Sequence, residues 1–254
     1  MINISGAQLD LWIASVLWPF VRIMAMLATA PVFDNRAITR RVRIGLSGII
    51  ALLLSASLPV PPPLSSPEAP MILLQQILIG VSMGFSMRLV FAAFEMAGDL
   101  LGLQMGLAFA QFIDPSKGSQ SPLVGTFLGL LASLVFLSMD GHLLILATLI
   151  KTFEVVPVGG NLGVVNFQSI VLAGSLMFML SLQISLPVLA ALVVCNVVLG
   201  VLARAAPQLN VMSIGFAITI GVGLWVLWAS LPYFIYGLDG AISRMLTLEV
   251  LKPL

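Results

Sequence analysis

A serine between two glycines, in Gly80-Val-Ser-Met-Gly84, is the first feature of this sequence that could do chemistry. The G-x-S-x-G spacing belongs to a nucleophile elbow, in which a strained strand-to-helix turn exposes the serine hydroxyl group. Here Ser82 lies inside a long apolar run, and no strand pattern precedes it. His142, the single histidine, would have to be its base. The pattern therefore favours a packing face of small residues, and we predict no catalytic residue.

The remaining polar residues do not indicate a metal or cofactor site. One cysteine, Cys195, and one histidine cannot form a structural zinc site. Asp140 and His142 are two positions apart, which on a helix points them to different faces. His142 is either an intramembrane ionisable group with a function or a solvated side chain at a helix end, and we favour the second interpretation. Since the sequence also has no nucleotide-binding loop, we predict a protein without enzymatic activity, cofactor or metal.

Two arginines, Arg22 and Arg88, are isolated charges within apolar runs. A charge at membrane depth is costly unless it is paired or reaches the interface along its own aliphatic stem. Arg88 could pair with Glu95 or Asp99, or extend to the interface, and ion pairs between subunits are an equal alternative. Both arginines are therefore candidate intramembrane charges. A proton relay is not predicted, because the apolar runs supply no chain of acidic or histidine residues.

The amino-acid composition indicates the class of protein in which these residues lie. Of 254 residues, 60% are hydrophobic and 8% are charged, whereas soluble domains carry about 25% charged residues. So few polar side chains cannot cover the outside of a folded chain in water. The net charge of +1 argues against nucleic acid as a partner. We predict an all-α membrane protein whose apolar surface faces lipid, partner subunits or both.

Apolar runs of about membrane-spanning length recur between short polar breaks. A spanning helix needs about 20 apolar residues, and the first run is too long for a removable signal. We expect about six helices in a single domain over residues 1–254, or seven or eight if the long runs are broken, with a break or kink at Pro187. The runs are Leu11–Phe33, Ile44–Leu58, Met71–Phe94, Leu123–Ile150, Ile170–Ala203 and Val211–Leu238.

Basic residues and glycines give two further predictions. Four arginines at positions 36, 40, 41 and 43 predict that the first loop is cytoplasmic, which places the N-terminus and the proline-rich segment 59–67 outside. Glycines spaced four apart let two helices approach closely. Single pairs such as Gly80/Gly84 and Gly125/Gly129 can arise by chance. The triplet Gly98, Gly102 and Gly106 predicts a tightly packed helix end before the polar segment 114–122.

Four stretches, in order along nearly the whole chain, resemble the FliR family of the flagellar type III export apparatus. After Gly215-Phe216 this sequence has Ala217 where the family often has proline. The stretches are Arg36–Leu46; Glu95–Ala110, continuing to Asp114-Pro115; Gly141-His142 with Lys151–Glu154 and Val156–Gly159; and Leu186-Pro187 with Ala203–Asn210 and Gly215-Phe216.

The resemblance implies a subunit of a protein-export gate rather than an independent transporter. FliR-type subunits assemble with FliP and FliQ into a helical channel at the flagellar base, in the bacterial inner membrane. Unfolded export substrates pass through this channel, and FlhB and FlhA of the export apparatus and membrane lipid are further implied partners. The assembled gate is implied to lie largely above the bilayer plane, with its apolar helices covered by partner subunits.

The resemblance also gives the segment after Gly106 a role, because in the family this segment projects into the pore and helps to close it. Phe109 and Phe112 match the aromatic positions of that motif, so we expect them to be plug residues. Bulky apolar side chains in a constriction exclude water and ions by dewetting, and Gly118 and Pro122 would let the plug move aside. From spacing alone, the two phenylalanines would be interpreted as packing on one helix face.

Two alternative functions stay open at this point. The virulence-injectisome counterpart of the family would use the same motifs, although the sequence is more similar to the flagellar branch. A small-molecule permease would fit the helix count and the two isolated arginines. It lacks the inverted repeats and coupling-ion ligands that many secondary transporters show.

Overall fold

The computed structural model describes residues 5–34, 38–107, 122–160, 167–206 and 211–247. These residues form seven α-helices and no strand, which confirms the predicted all-α class. The helices are α1 (Gly6–Thr29), α2 (Arg40–Ser55), α3 (Ala69–Gln104), α4 (Leu123–Ser138), α5 (Gly141–Val155), α6 (Phe167–Ala205) and α7 (Val211–Thr247).

The first helix begins before its apolar run because a capping box fixes its start. The Ser5 hydroxyl oxygen accepts a hydrogen bond from the Gln8 backbone N–H at 3.3 Å, and the Gln8 side chain accepts one from the Ser5 N–H at 3.2 Å. The Gln8 side chain satisfies the Ser5 N–H, and the Ser5 hydroxyl oxygen is a second acceptor for the Gln8 N–H, which also donates to the Ser5 carbonyl oxygen at 2.9 Å. The helix therefore starts at Gly6 rather than at the predicted Leu11.

Two of the long apolar runs differ from the prediction. The run Leu123–Ile150 is interrupted at Asp140, which adopts a left-handed conformation with a φ of 54° between α4 and α5. Aspartate tolerates this conformation better than most residues do. Of the break or kink expected at Pro187, the break does not occur, because α6 continues through that residue as one helix, and the kink stays a prediction. Membrane helices accept an interior proline when neighbouring groups satisfy the freed carbonyl group, and Pro19 and Pro232 also lie inside helices.

Four of the described helices are long and apolar enough to cross a membrane, namely α1, α3, α6 and α7, or five segments if α4 and α5 together make one crossing. The 16 residues of α2 extend over about 24 Å, which is shorter than the hydrocarbon core of about 30 Å. The orientation predicted from the basic residues requires α2 to cross the membrane. If α2 does not cross, the first loop and segment 59–67 lie on the same side, and the sides predicted for the later segments no longer follow.

The helices differ strongly in how much of their apolar surface is covered. In the apolar stretch of α3, 61% of the residues are buried, against 17% in α6 and 22% in α7. Exposed aliphatic and aromatic side chains run along both of the latter helices, among them Val194, Val201, Trp225 and Trp228. These apolar faces need lipid or another protein subunit to cover them.

The chain divides into two compact units that interleave along the sequence. The first unit comprises Met1–Leu89, Asp140–Gly174 and Ile242–Leu254, and the second comprises Val90–Met139 and Ser175–Ala241. Helix α3 contributes its first part to the first unit and its last part to the second. The single domain expected over residues 1–254 stays a prediction.

In the first unit, the proline-rich segment before α3 is held against α1. The indole N–H of Trp18 donates to the Pro62 carbonyl oxygen at 3.0 Å. The Asp10 carboxylate accepts hydrogen bonds from the backbone of Leu64 and from the backbone and hydroxyl group of Ser65. Trp18 also packs with Ala14 and Ile72 in a buried cluster. These contacts fix the connection between α2 and α3.

In the second unit, α3 and α4 pack through an aromatic pair. The rings of Phe91 and Phe136 lie edge to face, with centroids 5.5 Å apart and planes inclined by 71°. Such a pair contributes about 0.5–1.5 kcal/mol beyond the area that it buries. Leu101, Leu128 and Ala132 are fully buried in the same unit.

Candidate functional site

The predicted plug residues Phe109 and Phe112 lie outside the described residues. What the structure describes is the end of α3 before them, through Leu107, and the beginning of α4 after them, from Pro122. The geometry of these two helix ends therefore forms the described part of the candidate site.

The C-terminus of α3 is closed by a Schellman motif centred on Gly106. The Leu107 N–H donates to the Gly102 carbonyl oxygen and the Gly106 N–H donates to the Leu103 carbonyl oxygen, each at 3.0 Å. Gly106 has a φ of +80°, in the left-handed region that this motif requires and that glycine enters without a steric cost. The third glycine of the predicted packing triplet thus terminates the helix.

This helix end is held against α7, in the second unit. The Thr219 hydroxyl group lies 3.3 Å from the Met105 carbonyl oxygen, and 3.0 and 3.1 Å from those of Gly215 and Phe216 in its own helix, so its one proton has three acceptors within reach. The ring of Phe216 lies beside Gly106, and the Met105 side chain lies over Gly223. These contacts with α7 fix the position of the last turn of α3, which directly precedes residues 108–121.

The first two glycines of the triplet differ in how closely α4 approaches them. A Cβ atom on Gly98 would lie 2.6 Å from the Gly125 Cα atom and 2.6 Å from the Val124 carbonyl oxygen. A Cβ atom on Gly102 would meet nothing closer than Val124 Cγ2 at 3.7 Å, which is ordinary van der Waals contact. Backbone-to-backbone approach therefore occurs at Gly98, whereas Gly102 has room for a methyl group.

The glycines of α4 make space for two carboxylates of α3. A Cβ atom on Gly129 would lie 2.9 Å from Glu95 Cγ, and one on Gly125 would lie 2.9 Å from the Glu95 carbonyl oxygen and overlap the Asp99 carboxylate. From the sequence, the pair Gly125/Gly129 could equally be a packing face or a chance occurrence. In the structure, these two positions are where α4 accommodates acidic side chains.

Arg88 has a partner that the sequence analysis did not name. Its Nη1 atom lies 3.5 Å from the Asp34 carboxylate, and its side chain is 60% exposed. The other carboxylate oxygen of Asp34 lies 3.0 Å from Nη1 of Arg43. Asp34 thus joins the guanidinium groups of Arg43 and Arg88. The pattern in the sequence that could have indicated this is the acidic Asp34 shortly before the arginines at positions 36–43.

Arg22 is completely buried in the first unit, with hydrogen bonds to two other helices. Its Nε donates to the Gln76 side-chain oxygen at 2.8 Å on α3. Its Nη1 and Nη2 donate to the Thr152 hydroxyl oxygen at 3.1 Å and to the Val156 carbonyl oxygen at 2.9 Å. The guanidinium carbon lies 4.0 Å from the centroid of the Phe153 ring, a favourable cation–π distance.

The acceptors around Arg22 are neutral, and the planar guanidinium group can bond several of them at once. Arg22 therefore connects α1 to α3 and to the end of α5. The sequence indicates the isolated charge of Arg22 but not its partners Gln76 and Thr152. The signal that could have found Gln76 is the dipeptide Gln75-Gln76 inside an apolar run, because buried amides require polar partners.

The glycine pair around Ser82 packs α3 against α1. A Cβ atom on Gly80 would overlap the Arg22 carbonyl oxygen and lie 2.8 Å from Ala25 Cβ. A Cβ atom on Gly84 would overlap the Thr29 hydroxyl oxygen and lie 2.7 Å from the Met26 carbonyl oxygen. The Ser82 hydroxyl group donates at 2.7 Å to the Leu78 carbonyl oxygen of its own helix. This geometry is that of a packing face of small residues.

Known proteins are similar to this chain over most of its length. The family described as Bacterial export proteins, family 1, matches residues 13–245. The flagellar biosynthetic protein FliR of Pectobacterium carotovorum subsp. carotovorum is 44% identical over 91% of this chain and 90% of its own length. The proteins of that name from Escherichia coli (strain K12) and Bacillus subtilis (strain 168) are 38% and 32% identical, over 91% and 92% of this chain and 90% and 92% of their own lengths.

The similarity and the apolar helices together define the class of this protein. It is a helical, multi-pass protein of the bacterial inner membrane and a component of the flagellar protein-export apparatus. The chain belongs to family 1 of the bacterial export proteins, the family of the flagellar biosynthetic protein FliR.

Proposed function

We propose that this chain is the FliR subunit of the flagellar export gate and that it forms, with FliP and FliQ, the channel through which unfolded flagellar proteins cross the inner membrane. FlhB and FlhA would be neighbouring components of the same apparatus. The observation that carries the proposal is 44% identity to a flagellar biosynthetic protein FliR over 91% of the chain. The role proposed is structural and conductive rather than enzymatic.

The uncovered helices α6 and α7 support a multi-subunit channel. Their apolar stretches are 17% and 22% buried within the chain, and the outward side chains extend over more than 20 residues of each helix. Subunits in a helical assembly would cover such faces, which are too apolar to contact water. Partner subunits can associate with such helices through van der Waals packing of side chains.

We also propose that Phe109 and Phe112 form the plug of the closed gate. The proposal rests on the motif resemblance. It is supported by the described end of α3, where the Schellman turn at Gly106 and the Thr219 hydroxyl group fix the direction in which the chain leaves the helix. A segment anchored at its start can place an aromatic side chain reproducibly in a narrow pore.

Secretion after gene deletion tests the proposed function. Cells lacking this chain should stop releasing hook and filament subunits into the medium, and a plasmid copy of the gene should restore release and swimming. The matched control is the same plasmid with a stop codon after the α2 coding region. If deletion leaves secretion and swimming intact, and uptake or efflux of a small solute is lost instead, a permease replaces the gate.

A pull-down separates the partner assignment from the export role. An affinity-tagged chain, solubilised in mild detergent, should retain FliP and FliQ in stoichiometric amounts. Recovery of the chain alone, from cells that secrete normally, would overturn the assignment of those partners. Retention of needle-apparatus components instead would favour the injectisome alternative, although the curated relatives named above are flagellar.

A further inference from the structure

Four arginines lie at or beside the beginning of α2. Arg40 and Arg41 are the first two residues of α2 and are exposed, and Arg43 lies in the same first turn. Arg88 joins them from α3, because Asp34 lies 3.0 Å from Arg43 and 3.5 Å from Arg88. We call Arg40, Arg41, Arg43 and Arg88 the α2 basic surface. It is separate from the helix end that precedes the proposed plug.

The α2 basic surface carries an excess of positive charge. Four guanidinium groups and the single carboxylate of Asp34 leave a net charge of +3. Both oxygens of that carboxylate are already in contact with arginines. In addition, Nε of Arg43 is buried and makes no hydrogen bond to the described residues. The described residues therefore neutralise only a fraction of this charge.

The N-terminal end of α2 also favours a bound anion. The first turn of α2 contains no acidic residue, and the Thr39 side chain makes no capping hydrogen bond. The N-terminal end of a helix carries a partial positive charge and unpaired N–H groups. Arginines at this end are repelled by the positive end of the helix dipole. A bound anion would reduce that repulsion, because it attracts both the guanidinium groups and the helix N-terminus.

The rest of α2 shows an inverted pattern, with small residues inside and large apolar ones outside. Ser47 and Ala51 are buried, whereas Val42, Ile49 and Leu53 are 57%, 62% and 71% exposed. The helix extends over only about 24 Å, less than the hydrocarbon thickness of about 30 Å. An outward apolar face adjacent to a cluster of arginines matches the chemistry of one ligand that is apolar at one end and anionic at the other.

We propose that the α2 basic surface binds the phosphate of an anionic phospholipid, with the acyl chains along the exposed apolar face of α2. Charge complementarity selects an anionic lipid over a zwitterionic one, because the net charge of the headgroup must offset the +3 of the surface. Asp34 acts as a positioning residue that orients Arg43 and Arg88 toward a common point. The proposal does not depend on the export role of the chain.

Native mass spectrometry of the full-length chain in a non-ionic detergent tests this site. Phosphatidylglycerol and phosphatidylcholine with identical acyl chains are titrated separately, and the bound lipids are counted. We expect tighter binding of phosphatidylglycerol. The double variant Arg40→Gln/Arg41→Gln should weaken it about 25-fold, at about fivefold for each arginine, with phosphatidylcholine binding unchanged.

Two further variants keep the test decisive. Arg88→Gln, on a different helix, should weaken phosphatidylglycerol binding about fivefold. The control Lys151→Gln/Arg204→Gln removes two exposed basic residues elsewhere and should change nothing. Equal binding of the two lipids, an equal loss in the control, or unchanged binding in Arg40→Gln/Arg41→Gln would overturn the proposal. So would displacement of the lipid by millimolar inorganic phosphate, which would mark a site for the free ion.

Discussion

The backbone of α3 at Gly98 lies directly against the backbone of α4 at Gly125. A Cβ atom on Gly98 would lie 2.6 Å from the Gly125 Cα atom and 2.7 Å from its nitrogen. No rotation of a side chain can relieve contacts with backbone atoms, so the two helices can keep this distance only with glycine at position 98. The contact fixes α4 beside the part of α3 that leads to the proposed plug.

The first prediction contrasts two glycines one turn apart. Gly98→Ala should lower the free energy of unfolding by about 1–3 kcal/mol, the usual cost of overpacking, and reduce recovery of the assembled gate. Gly102→Ala is the matched control, because its methyl group would meet Val124 at 3.7 Å and alanine favours helix over glycine. Thermal unfolding in detergent measures both. Equal effects of the two substitutions would show that the close contact between Gly98 and α4 does not determine the stability of the chain.

The second prediction concerns the buried arginine of the first unit. Arg22→Lys keeps the charge but cannot reach Gln76, Thr152 and Val156 together, because an ammonium group lacks the planar arrangement of five donors. We expect a loss of about 3 kcal/mol in the free energy of unfolding, typical of a buried charged group that loses hydrogen bonds.

The control for Arg22 is Arg204→Lys at the exposed end of α6, which should change stability by less than about 0.5 kcal/mol. Thr152→Val, alone and combined with Arg22→Lys, completes a double-mutant cycle. A coupling energy near zero between positions 22 and 152 would mean that their 3.1 Å hydrogen bond does not contribute to stability.

The helices themselves were predictable from the sequence because apolar runs of this length have few alternatives to helix. The partners of Arg22 were not, since Gln76 is 54 residues away and Val156 is 134 residues away in the chain. Hydropathy identifies a buried charge but does not say which helices surround it. The pairing depends on tertiary packing, here set by the contacts of Gly80 and Gly84 with α1.

The glycine triplet shows a second limit of sequence reasoning. Spacing of four residues is equally compatible with a packing face and with a helix that ends at its last glycine. The structure gives three different environments: backbone contact at Gly98, ordinary van der Waals distance to a side chain at Gly102 and a left-handed turn at Gly106. The positive φ of Gly106 and the hydrogen bonds of Gly106 and Leu107 distinguish a Schellman turn from helix interior.

The third prediction tests that turn. Gly106→Ala should destabilise the chain by about 2 kcal/mol, because alanine is disfavoured at positive φ and its Cβ atom would lie 2.6 Å from the Phe216 ring. Combining it with Phe216→Leu should restore the part of the loss that comes from the ring contact. Thermal unfolding of the two single variants and the double variant separates the two causes. Full recovery in the double variant would contradict a contribution from the backbone conformation.

The fourth prediction addresses the proposed plug, and it follows from the export role. Phe109→Ala with Phe112→Ala replaces two aromatic rings with methyl groups, so the constriction should become wide and wet enough to pass ions. Cells that express the gate genes with this double variant should lose membrane potential and leak potassium, whereas cells with the unaltered chain should not. The expected increase in ion permeability is large, because a hydrated pore conducts ions whereas a dewetted one does not.

The matched control for the plug is Phe85→Ala with Phe127→Ala, which removes the same number of rings from exposed positions on α3 and α4, outside the α6 and α7 faces proposed to contact partners. This variant should assemble and keep the membrane tight. Assembly of each variant is verified by co-purification with the proposed partners before permeability is measured. If the Phe109/Phe112 variant assembles and the membrane stays as tight as with the unaltered chain, these residues do not close the pore. Closure must then come from another subunit or from another part of this chain.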